Sequence, residues 1–421
     1  MSRILACLLS LAGVGIHSET SGKDVPWSRH TIDNSSRGAD GVRLLDVNGD
    51  GHLDIATGWE EGGVIRAYLN PGPEKAAAAW PAVTVGNVKS AEDAVFVDLD
   101  GDGAVDVVSS CEGKTRAMFV HWAPSDPDQY LNPDAWKTEE LGRAGPWAMW
   151  MFAMPLDIDG QNGVDLVAGS KSGSFAAIGW LKSPENPRDV SQWRFSTMRP
   201  SGWIMSVIAH DVDGDGDSDV LFSDRKGDNR GIGWLENPGL KATLIGENWP
   251  IHFIGAGDRE VMFIDVHSPM PGGVVEVLAA VKPNGILRFR GGDRKSQQAD
   301  VQSDHWVISE LKLPADRIGT AKAVRRADMD LDGRDDLVFS CEQAQGKKSG
   351  VVWLTMDGDG SIQETNGTTW KLRELSGPTG VKFDLLQLVD LDADGDLDVI
   401  TCEERANLGV FWYENPTQSP K

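Results

Sequence analysis

Residues 46–54 read DVNGDGHLD, with oxygen side chains at the first, third, fifth and ninth places. Such a run suits neither a helix interior nor a buried strand. With a glycine at the sixth place to turn the chain sharply, oxygens at this spacing can wrap a loop around a hard cation. The pattern recurs as DLDGDGAVD at 98–106, DIDGQNGVD at 157–165, DVDGDGDSD at 211–219, DMDLDGRDD at 328–336 and DLDADGDLD at 390–398. The candidate ligands are therefore Asp46, Asn48, Asp50 and Asp54; Asp98, Asp100, Asp102 and Asp106; Asp157, Asp159, Gln161 and Asp165; Asp211, Asp213, Asp215 and Asp219; Asp328, Asp330, Asp332 and Asp336; and Asp390, Asp392, Asp394 and Asp398. A seventh copy, DVHSPMPGGVVE at 265–276, keeps only its end acids, Asp265 and Glu276.

Calcium accepts six to eight oxygens in irregular geometry, whereas magnesium holds on to its waters, so calcium is the expected ion. Five loops should be strong sites, the third, with Gln161, weaker, and the fifth-blade copy empty. Gly51, Gly103, Gly216, Gly333 and Gly395 occupy the turn position, where positive φ is expected, and Asn162 replaces glycine there in the third loop. An EF-hand is excluded. It needs Glu at the twelfth place between two helices, and that place holds Thr57, Ser109, Phe222, Phe339 or Thr401 in the full motifs.

The segments around each loop read as strands: RLLDV before and LDIATG after the first, with matching apolar runs around the others. A third strand follows (AAIGWL, GIGWLENP, GVVWL, GVFWYENP), then a fourth that opens with Trp (WPAVTV, WKTEEL, WRFSTM, WPIHFI, WVISEL, WKLREL). Seven first aspartates, from 46 to 390, recur at intervals of 52 to 63 residues. Four antiparallel strands repeated seven times predict an all-β, seven-bladed β-propeller over residues 25–416, followed by a tail at 417–421. The chain ends on a third strand, and WSRHTI at Trp27 supplies the missing fourth, closing the ring.

The DxDxDGxxD repeat followed by an apolar strand resembles the FG-GAP/VCBS repeat family over residues 27–416. Relatives in that family include the integrin α-subunit head, calcium-bearing fungal lectin propellers, and some lyases and dehydratases acting on sugars. The resemblance implies the propeller and calcium at the matching loop positions. It says little about activity, because one fold hosts many functions.

If the metal loops join strands one and two, the opposite face carries the remaining loops, where function usually sits. Six residues after each motif the chain has Glu60, Glu112, Lys171, Arg225, Lys282, Glu342 and Glu404. Six residues before each first aspartate it has Asp40, Glu92, Met151, Met205, Arg259, Lys322 and Asp384. Aligned this way, the channel mouth should be acidic on one side and basic on the other, or its charges should pair between blades. Four tryptophans outside the strand pattern, Trp59, Trp147, Trp150 and Trp203, fall in or near the same face and could stack on a sugar ring or plug the core. Asp40, Glu60, Glu92 and Arg259 are the candidate catalytic groups. Trp59, Glu112, Trp147, Trp150, Lys171, Trp203, Arg225, Lys322 and Asp384 are the candidate ligand contacts.

The expected function is a secreted or periplasmic, calcium-binding module for a glycan or polysaccharide. A carbohydrate lyase or dehydratase and a protein–protein adhesion module are the alternatives. Residues 1–18, with Arg3 ahead of a short apolar core, read as a secretory signal. Beyond it there is no run of 18 apolar residues, so no membrane span is expected. A net charge of −24, with 22 aspartates at the 24 ligand positions, leaves no basic footprint for nucleic acid. Cys111, Cys341 and Cys402 are too few for a disulfide framework. Pairing of Cys341 with Cys402 stays open, with buried free thiols the expectation.

Overall fold

The computed structural model describes residues 26–142, 148–268, 273–291, 306–356 and 360–418. The expected signal segment at 1–18 and Trp147 lie outside these residues. The described chain forms seven antiparallel sheets in a ring, six of four strands and one of five. Blade one shows the plan, with strands Ala39–Leu45, Asp54–Trp59, Val64–Tyr68 and Ala82–Gly86 in consecutive order. Blade six adds a short outer strand, Ile362–Gln363, which the sequence pattern did not indicate.

The second strand of each blade is buried along most or all of its length, as in Asp54–Trp59 and Asp106–Cys111. Both faces of these strands pack against apolar surface, which is why they read as continuous apolar runs rather than alternating ones. The Trp residues that open the fourth strands are anchored locally: Trp136 Nε1 donates to the Tyr130 carbonyl at 2.8 Å and Trp193 Nε1 to that of Pro187 at 2.9 Å.

Blade seven closes as the sequence predicts. Ser28–Asp33 pairs with Gly409–Glu414 and completes the sheet begun by Phe383–Val389 and Asp398–Glu403. His30 locks this seam, with Nε2 2.7 Å from Glu414 and its ring stacked 4.5 Å from that of Trp412. Cys111, Cys341 and Cys402 are all free and buried.

One register differs from the sequence alignment. In blade five His267 pairs with Glu276, as His210 pairs with Asp219 in blade four. The fifth loop therefore begins at Ser268, and Asp265 sits three residues earlier, inside the first strand. Arginines hold the surviving acids: Arg325 lies 3.5 Å from Asp265, and Arg326 and Arg288 lie 2.8 and 3.3 Å from Glu276.

Candidate functional site

Every first strand carries a register shift at its start, between Asp40 and Arg43, Ala91 and Asp93, Trp150 and Phe152, Ile204 and Ser206, Val261 and Ile264, Ala321 and Ala323, and Phe383 and Leu386. A bulge places one extra residue in its strand and re-aims a side chain. In ring order the residues at these shifts are Asp40, Glu92, Met151, Met205, Met262, Lys322 and Asp384, and all seven line one cavity of about 420 Å³. Phe152 of blade three and Phe263 of blade five also line it, and their rings meet edge to face with centroids 5.5 Å apart.

One of the expected assignments is corrected here. Arg259 does not reach this cavity; it lies in a separate cleft and pairs with Glu310 at 3.2 Å. The shifted register of blade five puts Met262 in its place, so three consecutive blades present methionine. Of the expected basic residues, Lys171, Arg225 and Lys322 line the cavity beside these methionines.

The second set of residues forms ion pairs between blades rather than a charge-segregated mouth. Lys171 contacts Glu112 and lies 3.5 Å from Glu92. Lys282, which does not line the cavity, pairs with Glu342, and Lys382 with Glu404. Arg225 lies 2.8 Å from Glu260. Lys322 pairs with Asp384, with 5% and 2% of each residue exposed. Among the described residues no cation lies within ion-pair distance of Asp40 or Glu60, the two cavity acids of blade one.

Burial dominates the electrostatics. It raises Asp40 well above the usual carboxylate range, and Asp384, which hydrogen-bonds it, and Glu92 push the same way. Burial also works to raise Asp384, but Lys322 and the hydrogen bond from Asp40 overcome it and lower the group. Burial and Lys322 thus push the two coupled carboxyls in opposite directions, Asp40 up and Asp384 down. Glu92 is pushed up to about 8, by burial first, with Lys171 opposing and Glu112 and Glu60 adding. Burial raises Glu60 too, reinforced by Glu404 and Glu112.

The tryptophans do not form a stacking platform. Trp59 and Trp150 are 0% exposed. Trp59 Nε1 donates to Tyr68 at 2.9 Å, and Trp150 packs edge to face on Phe195. Their strand-end positions turn them into the packed interior, so both are corrected from ligand contacts to core residues. Trp203 lines the cavity, but Lys171, Arg225 and Lys226 already crowd its ring at 4.6, 4.5 and 4.9 Å from the centroid. Asp224, 2.8 Å from the Trp203 amide, fixes its backbone and is itself held by buried Arg199.

The acidic loops lie elsewhere in each repeat, between strands one and two. Asp46 accepts the Gly49 amide at 2.8 Å and the Gly51 amide at 2.9 Å, and the other loops repeat this winding in whole or part. Gly51 and Asn162 have φ of 87° and 62°, as the spacing predicts. The fourth position also has positive φ, including at Leu331 and Ala393 (59° each), which sequence reading missed. The ninth-position acids serve as staples. Asp106 takes the amides of Leu99 and Ala123 at 3.2 and 2.7 Å, and Asp398 those of Leu391 and Asn415 at 2.9 Å each.

The donor set of these loops fits calcium. In blade seven Asp394 and Asp396 are 5% and 1% exposed, and Asp394 Oδ2 and Asp396 Oδ1 have no hydrogen-bond partner. Orphaned anionic oxygens at such burial are costly, and a cation satisfies them. Asp396, at the seventh place, was not among the expected ligands, although Asp217 repeats it in blade four. Other loops contain a protein cation: Arg188 on Asp100 and Asp102, Lys182 on Asp159 and Arg334 on Asp332.

A family profile described as FG-GAP-like repeat matches residues 46–109 and 328–401. No curated protein sequence matches the chain. Among solved structures, the β-propeller domain of Myceliophteria thermophila Cps50 (Swd1) superposes with a TM-score of 0.52 at 10% identity, over 92% of this chain and 99% of that one. An ancestral GH74 enzyme gives 0.51 at 12% identity, over 95% of this chain and 52% of the enzyme. The periplasmic gluconolactonase of Pseudomonas aeruginosa gives 0.45 at 14% identity, over 86% and 98%. At these identities the first two likenesses speak to fold alone. No helix among the described residues is long and apolar enough to cross a membrane.

Proposed function

Because the chain is a seven-bladed propeller carrying FG-GAP-like repeats, we propose that it is a secreted, calcium-stabilised binding module whose cavity receives a terminal sugar of a glycan. The observation that carries this reading is the convergence of all seven bulge residues on one cavity of about 420 Å³. Its volume lies in the range of small-molecule sites. A cavity of this size suits the end of a chain. One wall, with Asp40, Glu92, Lys322 and Asp384, offers charged groups to hydroxyls. The other, with Met151, Met205 and Met262, offers adaptable apolar surface to ring carbons.

The test is retention of an oligosaccharide panel on immobilised, calcium-loaded protein, read by mass spectrometry. Wild type should retain a subset intact. Met205→Trp, which fills the cavity, should retain none while keeping a cooperative melt. Equal retention by the two proteins would rule out the cavity.

A second reading, a lyase or dehydratase, is favoured by one observation: the buried carboxyls of Asp40 and Asp384 meet Lys322 at the cavity wall, an arrangement able to exchange a proton with a bound sugar. Loss of water or an unsaturated end among the recovered sugars would support it, and the Asp40→Asn plus Glu92→Gln double variant should then abolish turnover.

A further inference from the structure

We infer that Lys182 is the cation of the third acidic loop, so that the loop of blade three closes on the protein's own lysine and takes no calcium. This rests on the calcium reading of the other loops, and it replaces the weaker site that the motif predicts there. Register brings the end of each third strand to its loop. In blade three Leu166, just after the ninth-place Asp165, pairs with Leu181, and Lys182 follows. Its ammonium contacts Asp159, the third-place acid, and lies 5.6 Å from the centre of the Trp180 ring. In blade six the same register puts Thr355 at this position, and its hydroxyl donates to the third-place Asp330 at 3.2 Å. The position therefore addresses the third-place acid.

Blades four and seven fill it with acids, Glu236 and Glu414, each held by a histidine. Blades one and two have Leu69 and Trp122. The other cation at this position is Arg290 of blade five, whose loop sequence keeps only its last acid. The rest of loop three fits a lysine better than a metal ion. Asp159 is 1% exposed, and its second oxygen accepts the Gln161 amide at 3.0 Å. Losing Lys182 would leave that buried carboxylate uncompensated. Asn162, in the place of the turn glycine, donates to the Ser183 carbonyl at 3.2 Å and accepts the Ser183 hydroxyl at 3.1 Å, which ties the loop to the residue next to Lys182. A calcium ion would have to displace Lys182 and would find one carboxylate fewer than in blade seven, whose fifth-place Asp394 carries an orphaned buried oxygen. Loop two also meets a cation, Arg188, but keeps all four aspartates and the Gly103 amide bond to Asp98.

The experiment counts bound calcium by native mass spectrometry and follows melts in calcium and in chelator. Asp159→Asn should leave the count unchanged and lower the melting temperature equally in both conditions. Asp392→Asn, its counterpart in blade seven, should lower the count by one and act in calcium alone. Lys182→Met should reproduce the loss of Asp159→Asn, and the two changes together should cost no more than one, as expected of partners in one pair. Loss of one calcium in Asp159→Asn, or an effect of that variant in calcium alone, would overturn the assignment. Additive losses would overturn it too. Wild type that binds no calcium at all would overturn the calcium reading of the loops, and this inference with it.

Discussion

Lys322 and Asp384, side chains from bulges of adjacent blades, form an ion pair that is almost wholly buried at the edge of the cavity. Asp384 hydrogen-bonds Asp40 of the next blade, so three blades meet in one polar cluster across the seam where the ring closes. Breaking such a pair by removing one partner leaves an uncompensated buried charge, at a cost of about 3–5 kcal/mol. Lys322→Met should therefore lower the melting temperature, and the paired change Lys322→Met with Asp384→Leu should recover most of the loss. Thermal melts of the two variants check this.

The metal loops make two kinds of contribution that mutation can separate. Asp390 accepts one loop amide, whereas Asp398 is stapled to two. Asp390→Asn should remove the share of calcium-dependent stability that comes from the blade-seven loop and little else. Asp398→Ala should also destabilise the calcium-free protein by roughly 2–4 kcal/mol, since it strands two buried donors. For the wild type, chelation should lower the melting temperature. A site saturated about a thousandfold over its Kd contributes about 4 kcal/mol. Calorimetric melts with calcium and with chelator distinguish the three cases.

Glu92 gives the fold a pH dependence of known sign. Its carboxyl, facing Lys171, Glu112, Glu60 and Lys322, titrates at about 8 in the folded protein, against 4.5 when unperturbed. Folding thus takes up a proton at Glu92 between these values. That contribution is complete below about pH 4.5 and is lost as pH rises through about 8. In saturating calcium, the melting temperature of wild type should fall between about pH 6 and pH 9 more steeply than that of Glu92→Gln. Parallel slopes would contradict the assignment.

Closure of the ring depends on a strand brought from the far end of the chain. Deleting residues 26–33 would expose the edge of Gly409–Glu414 and strip Trp412 of its stacked His30. An unpaired edge is a template for association. The deletion should yield concentration-dependent oligomers in light scattering, where the full chain gives one concentration-independent species.

Much of this was legible in the sequence because it is local. Nine-residue spacing sets each metal loop, and the chain's ending on a third strand with Trp27 unmatched predicts the closure. Positive φ at Asn162 followed from its place in the motif. What was not legible is non-local. Arg259 was misplaced because blade five lost its first aspartate and Asp265, three residues away, imitated it; only the pairing of His267 with Glu276 reveals the offset. The methionine wall stayed hidden behind that offset. Trp59 and Trp150 looked like loop residues because strand ends are hard to locate from pattern alone, and both lie on packed strands. The pairing of Lys171 with Glu92 and Glu112 joins residues far apart in the chain, which charge counting by blade does not foresee.

The most direct test of the account is hydrogen–deuterium exchange of the calcium-loaded protein with and without the sugar retained best from the panel. Bound sugar should protect the starts of the first strands, above all residues 39–43, 91–93, 321–323 and 383–386. Met205→Trp should show no such protection. Protection confined to the metal loops or the outer strands would contradict a ligand site in the cavity.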